Sequence, residues 1–162
     1  MDPKQLLTLV VRPTLKSLGA YSRSAEQLVM GTVYQESRAI YLKQLGGGPA
    51  LGIIQMEPAT HNDLWENYLR YKPALANSVQ SLASAGSCQN GVVKVNEGEL
   101  VTNLAYAIAM CRVHYRRKRE PLPPADDVQA LGAYWKQHYN TVHGAGTVDE
   151  FVHNFPNEIL TC

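Results

Sequence analysis

One carboxylate stands out by its surroundings. Glu36 closes a run with helical patterning and is followed at once by a glycine-rich segment, within YQESRAIYLKQLGGGPALGIIQMEPAT at residues 34–60. Apolar residues before it and glycine backbone after it would partly desolvate the carboxylate, which favours the protonated form. The dipole at a helix C-terminus disfavours negative charge and acts in the same sense. A raised pKa is what a general acid needs to protonate a glycosidic oxygen near neutral pH. The glycines let backbone N–H and C=O groups come close to a ligand, where they can bond sugar hydroxyls and acetamides. They do not form a phosphate loop, because no Gly-Lys-Ser or Gly-Lys-Thr follows them and no strand pattern leads in. The same spacing also suits a solvated glutamate at a helix end followed by a plain turn. Spacing alone leaves both readings open.

The elements that would position Glu36 are helical nearly throughout. Asp2 and Pro3 read as an N-cap and an N1 proline, with Leu6, Leu7, Val10 and Val11 on one stripe. Ser24, with Gln27 as its capping-box partner, opens the helix that ends at Glu36–Arg38. Residues 45–53 cannot be regular helix, since Gly46, Gly47, Gly48 and Pro49 break it. Strand is expected there or over 91–95. Thr60 with Asp63 opens a further helix carrying Leu64, Trp65 and Tyr68. Another covers 73–85 and stops at Gly86, and 84–96 reads as a loop or hairpin. Asn96 with Glu99 opens the central buried helix, marked by Val101, Leu104, Ala105, Ile108, Cys111 and Tyr115. After the turn at 121–124 come a helix with Val128, Leu131, Trp135 and Tyr139 and a last one capped by Thr147 and Glu150.

Size and composition bound the rest. The chain has 162 residues and is 45% hydrophobic, which fits one compact domain, residues 1–162, with a real core. A net charge of +1 gives no strong overall attraction to nucleic acid or anionic lipid. No apolar run approaches the roughly 20 residues that span a bilayer, so no membrane partner is expected. The N-terminus lacks the pattern of a secretory signal, with Pro13 close behind its short apolar run. Cys88, Cys111 and Cys162 form no even-numbered framework and read as reduced thiols of a protein made in a cytosol. His61, His114, His138, His143 and His153 show no ligand spacing, so neither metal nor cofactor is expected.

The stretch around Glu36 resembles the soluble lytic transglycosylase domain, which is related to goose-type lysozymes. That family carries a Glu-Ser pair on a helix, matched here by Glu36-Ser37. A Gly-Ala-x-Gly-Leu-Met-Gln segment follows, matched by Ala50-Leu51-Gly52-Ile53-Ile54-Gln55, then Pro-x-Thr, matched by Pro58-Ala59-Thr60. Asn103 to Ala107 resembles a third region, and Ala133-Tyr134-Trp135 is the candidate for an Ala-Tyr-Asn motif. The resemblance covers about residues 24–155. It implies a mainly α, lysozyme-like α+β fold, a single helical domain with a glycine-rich loop or small hairpin lining a cleft. It implies cleavage of the bond after N-acetylmuramic acid in peptidoglycan glycan strands, with Glu36 as acid and then base. Ser37, Gly52, Gln55 and Thr60 would border the sugar subsites, and Tyr134 would hydrogen-bond Glu36. Two departures stand out. Pro49 stands where the family often has Gly, and Trp135 replaces the usual Asn.

The look of WKQHYNT and GAGTVDEF near the end resembles small bacteriophage-encoded proteins of this type. Such an enzyme would be made in the host cytoplasm, carried in the virion or released at lysis, and would act on the cell wall in contact with virion or tail proteins. Two alternatives stay open. One is a virion component that keeps the fold with little activity. The other is a hydrolysing muramidase in which Glu57, Asp63 or Glu66 positions a water. Tyr134, Trp135, Tyr139 and Asn140 are candidates to line a glycan groove. Arg112, Arg116, Arg117, Lys118 and Arg119 form a basic cluster that suits a helix C-terminus, an acidic partner or an anionic wall polymer; interleaved aromatics for nucleic acid are lacking.

Overall fold

Pro13 shapes the first helix. Asp2 accepts a hydrogen bond from the Gln5 N–H and caps α1 (Pro3–Gln5), which runs through wider π-helical turns at Leu6–Val11 into α2 (Arg12–Ser17). Pro13 has no N–H for the Leu9 carbonyl and its ring would crowd that carbonyl in a regular α-helix, so the widened turns sit directly before it. Leu6, Leu7, Val11 and Leu15 are buried on the inner face. The computed structural model describes residues 1–84, 86–89, 92–141 and 143–162. They form a compact, mostly helical body, and no helix among them is long and apolar enough to cross a membrane.

Helix α3 (Arg23–Ser37) starts two residues earlier than its capping pattern predicts. Ser22 is the extended N-cap residue and accepts from the Ala25 N–H, displacing Ser24 from that role. Glu26 receives two hydrogen bonds from Arg12, at 2.8 and 2.9 Å, which clamp α2 to the start of α3. Helix α4 (Pro58–Asn67) begins at Pro58, with Glu57 and not Thr60 in the cap position. The predicted helix over 73–85 is α5 (Pro73–Gln80), shorter than its pattern; Ala85 lies outside the described residues. Strands β1 (Gly86–Gln89) and β2 (Val92–Val95) pair antiparallel as the small hairpin expected between 84 and 96, with Gly91 outside the described residues.

The central helix is interrupted where a single element is predicted. A short α6 (Glu99–Thr102) stops at Asn103, whose extended backbone opens α7 (Leu104–Arg116) and whose side chain accepts from the Tyr106 N–H. Asn96 instead bonds the Gly98 N–H in a local turn. Tyr106 to Val113 are buried almost without break, and α2, α3, α4 and α5 all pack on α7. Burying each large apolar side chain there contributes about 1.5–3 kcal/mol. Thr32 of α3 and Tyr115 of α7 share a buried hydroxyl–hydroxyl bond of 2.7 Å. Helix α8 (Val128–Trp135) continues as π-helical turns over Lys136–Asn140, and α9 (Val148–Asn154) carries the predicted capping box between Thr147 and Glu150. Phe151 of α9 lies against Gly31, where a Cβ would sit 2.3 Å from its ring, so α9 seats flush on α3.

Candidate functional site

Glu36 is the penultimate residue of α3, and the chain turns sharply after it. Arg38 and Ala39 both hold left-handed backbone, with φ of 53° and 54°. Such conformations cost of order 1 kcal/mol each for residues other than glycine and persist only when the surroundings enforce them. Ser37 supplies that enforcement. Its carbonyl accepts from the Ile40 and Tyr41 N–H groups, and its hydroxyl accepts from the Ala39 N–H. The same hydroxyl donates to the Ile53 carbonyl at 2.7 Å, tying the end of α3 to the loop that follows.

That loop is built from short backbone pairings. Leu51 bridges to Lys43 on one side and to Met56 on the other. Between Leu51 and Met56 the chain makes a tight turn in which Ile53 and Ile54 enter the core. Gly52 sits there with φ of +72°, and a Cβ would lie 2.1 Å from the Leu100 carbonyl oxygen, so only glycine fits. The Ile54 carbonyl accepts from the Tyr139 hydroxyl at 2.7 Å, which joins the loop to the end of α8.

Between these parts runs a cleft of about 970 Å³. Glu36 faces it from α3, Gln55 and Thr60 from the loop and α4, His114 from α7, and Tyr139 and Asn140 from the far side. The volume falls in the range of sites that enclose small ligands. Burial pushes the Glu36 carboxyl up to about 7, against the opposing effect of a hydrogen bond from Trp135. The groups beneath it do not favour ionisation. Cys111, Tyr115 and Tyr139 are held above their ordinary values by burial foremost, with the nearby Glu36 charge adding to the effect. The carboxyl thus stands over a neutral floor, at the end of a helix whose dipole also opposes its charge.

The residue that orients Glu36 is Trp135. Its indole N–H donates to Oε1 at 2.9 Å, and the ring is fully buried and stacked on Phe151. Tyr134, expected in this role, points elsewhere: its hydroxyl donates to the Glu120 carbonyl at 2.8 Å, and its ring lies 4.3 Å from that of His138. The two residues are neighbours on a helix, about 100° apart around its axis, so only one can face α3. Of the aromatic groove candidates, Tyr139 and Asn140 line the cleft, whereas Tyr134 and Trp135 do not. Ser37 lies at the cleft but its hydroxyl is committed to backbone partners, and Gly52 acts through the turn rather than at the surface of the cleft. The Gln55 amide donates to the Gly52 carbonyl, and Gln55 itself takes a left-handed φ of 48°.

Two histidines join the site without any motif to announce them. His114 and His138 both face the cleft, and each carries a buried ring nitrogen with no hydrogen-bond partner, Nδ1 and Nε2 respectively. Burial lowers both from their ordinary values, His114 to about 4, so both rings are neutral at pH 7. Position along the helices could have flagged them: His114 lies between Cys111 and Tyr115 at the end of α7's stripe, and His138 three residues after Trp135. The basic cluster at 112–119 is not one surface. Arg112 is buried and donates to the Ala20 carbonyl, while Arg117 pairs with Asp63. Of the three further carboxylates, Glu57 lines the cleft, Asp63 is engaged by Arg117 and Asn67, and Glu66 lies outside it. Among the described residues no group of three or more His, Cys, Asp or Glu side chains is placed to hold a metal ion. No family model, no curated protein and no solved structure matches this chain.

Proposed function

We propose that this chain is a lysozyme-like lytic transglycosylase that cleaves peptidoglycan glycan strands after N-acetylmuramic acid. The observation that carries the reading is Glu36: a half-buried carboxyl with a pKa near 7, held by one indole N–H over a neutral floor in a ligand-sized cleft. In its protonated form Glu36 gives its proton to the bridging oxygen. The bond from that oxygen to C1 of the muramoyl ring breaks, and the leaving sugar departs as an alcohol. Positive charge develops at C1, and Glu36 is now a carboxylate. It takes the proton of the muramoyl 6-hydroxyl as O6 closes on C1, which forms the 1,6-anhydro ring and restores the protonated acid. One carboxyl suffices for this cycle, unlike the paired carboxylates of most glycosidases.

Hydrolysis by a muramidase is the second reading, and the position of Glu57 on the same cleft favours it. There a water would take the place of the 6-hydroxyl. The inactive virion-component reading draws on Trp135 as a departure from the family motif; that residue's bond to Glu36 supports an active site instead. The bacteriophage setting, with synthesis in a host cytoplasm and action on the wall, draws on the likeness of WKQHYNT and GAGTVDEF to small bacteriophage-encoded proteins of this type.

Mass spectrometry of fragments released from purified peptidoglycan tests the proposal. Wild type should release anhydro-muropeptides, one water lighter than hydrolytic products, and Glu36→Gln should release none. Products carrying the full mass would select the muramidase reading. Equal release by both proteins, or none by wild type, would remove Glu36 chemistry from the account.

A further inference from the structure

The cleft does not stop at its wall beside α7. Thr60, His114 and Lys118 line it and also line a second trough of about 550 Å³, completed by Ala59, Asp63 and Arg117. Three shared residues make the two spaces neighbours across a single rim. The second volume is itself large enough for a small ligand.

A charge marks the rim that the two spaces share. Arg117 and Asp63 pair with each other and largely cancel. Lys118 makes no ion pair among the described residues, and its side chain is half-buried just beyond the end of α7. His114 contributes no charge: burial holds it neutral, and the positive charges of Lys118 and Arg117 push in the same direction. The ring's Nδ1 is buried and has no hydrogen-bond partner. The trough therefore presents one uncompensated ammonium beside a neutral imidazole and a hydroxyl. Neutral sugars have no use for such a cation. An anion does, and partial burial makes the attraction stronger than on open surface.

We propose that this trough binds the carboxylates of the peptide stem that branches from the muramoyl residue, with Lys118 as the cation that recognises them. The inference rests on the glycan-cleaving reading and adds a specificity to it: stem-bearing strands are preferred over bare glycan. A stem leaving a strand seated at Glu36 would cross the shared rim of Thr60, His114 and Lys118.

Calorimetric binding of two soluble tetrasaccharide fragments, one with peptide stems and one without, to Glu36→Gln protein tests this. The stem-bearing fragment should bind about three- to tenfold more tightly, the range of one partly buried ion pair. Adding Lys118→Gln should bring that ratio close to one, Lys118→Glu should push it below one, and Lys118→Arg should restore it. Lys118 lies outside the helices and makes no side-chain hydrogen bond or ion pair among the described residues, so these variants should fold as the parent does, which circular dichroism checks. Both fragments binding with a ratio that Lys118 does not affect would overturn the inference alone. Neither fragment binding would overturn it together with the glycan-cleaving reading. Equal displacement of the stem-bearing fragment by a single-stranded oligonucleotide would assign the trough to nucleic acid and overturn it as well.

Discussion

The Trp135 indole N–H donates to Glu36 Oε1 at 2.9 Å, although the two residues lie 99 positions apart. This one bond couples the end of α3 to the end of α8 and sets the direction of the carboxyl. It also opposes the effect of burial on Glu36, because it favours the charged form. Trp135→Phe keeps an aromatic ring against Phe151, deletes the donor and leaves a small cavity where the rest of the indole packed. The rate of peptidoglycan cleavage by wild type should fall as pH rises through about 7, where Glu36 loses its proton. In Trp135→Phe that alkaline limb should move to higher pH, and the maximal rate should drop about tenfold through loss of orientation. A pH–rate profile of both proteins checks the pair of effects.

Glu36 should cost the fold stability above neutrality. Its carboxyl has a pKa of about 7 in the folded protein against an ordinary 4.5. Between those values the folded state holds a proton that the unfolded chain has released, so stability falls as pH rises across that window. Glu36→Gln removes the ionisation and keeps an oxygen for the Trp135 N–H. Allowing for the carboxyl's exposure to the cleft, the variant should be about 2 kcal/mol more stable than wild type at pH 8, and the two should converge below pH 4.5. Urea denaturation at both pH values measures the difference.

Ser37 joins helix to loop through a single hydroxyl. Ser37→Ala leaves the buried Ile53 carbonyl and the Ala39 N–H without that partner. The expected loss is about 1–3 kcal/mol. Amide hydrogen exchange should show faster opening over residues 39–56 than over α7, since the bond restrains the loop and not the central helix.

Gly52→Ala should be more damaging than its one added carbon suggests. The backbone φ is +72°, and the new Cβ would meet the Leu100 carbonyl oxygen at 2.1 Å. Relief requires moving α6 or the turn, at a cost of about 3 kcal/mol or more. A large fall in thermal midpoint together with a loss of cleavage is expected, because the turn carries Gln55 to the cleft.

Much of this was legible in the residue pattern, and the misses have physical causes. The helical character, Asp2 and Thr147 as caps and the hairpin after α5 follow from local signals, whereas Glu36, Gln55 and Thr60 are singled out together only by the family resemblance. Helix starts were misplaced where two candidate caps lie within a turn. Ser22 and Ser24 are equivalent in sequence, and only the extended backbone at Ser22 separates them. Asn96 and Asn103 lie about two turns apart, and there the start shifts because the expected single helix breaks into α6 and α7. The partner of Glu36 was missed by one residue. Tyr134 or Trp135 faces α3 according to the rotation of α8, and Phe151, seated against Gly31, fixes that rotation. Tertiary packing of this kind leaves no local trace, and His114 and His138 reach the cleft with only their helix positions, and no motif, to mark them.

The most direct measurement is the titration of the Glu36 side-chain carboxyl carbon by NMR in selectively labelled protein. A midpoint near 7, moving upward in Trp135→Phe, is the expected result. A midpoint near the ordinary 4.5 would mean that the carboxyl is ionised at neutral pH, and would contradict its role as the proton donor.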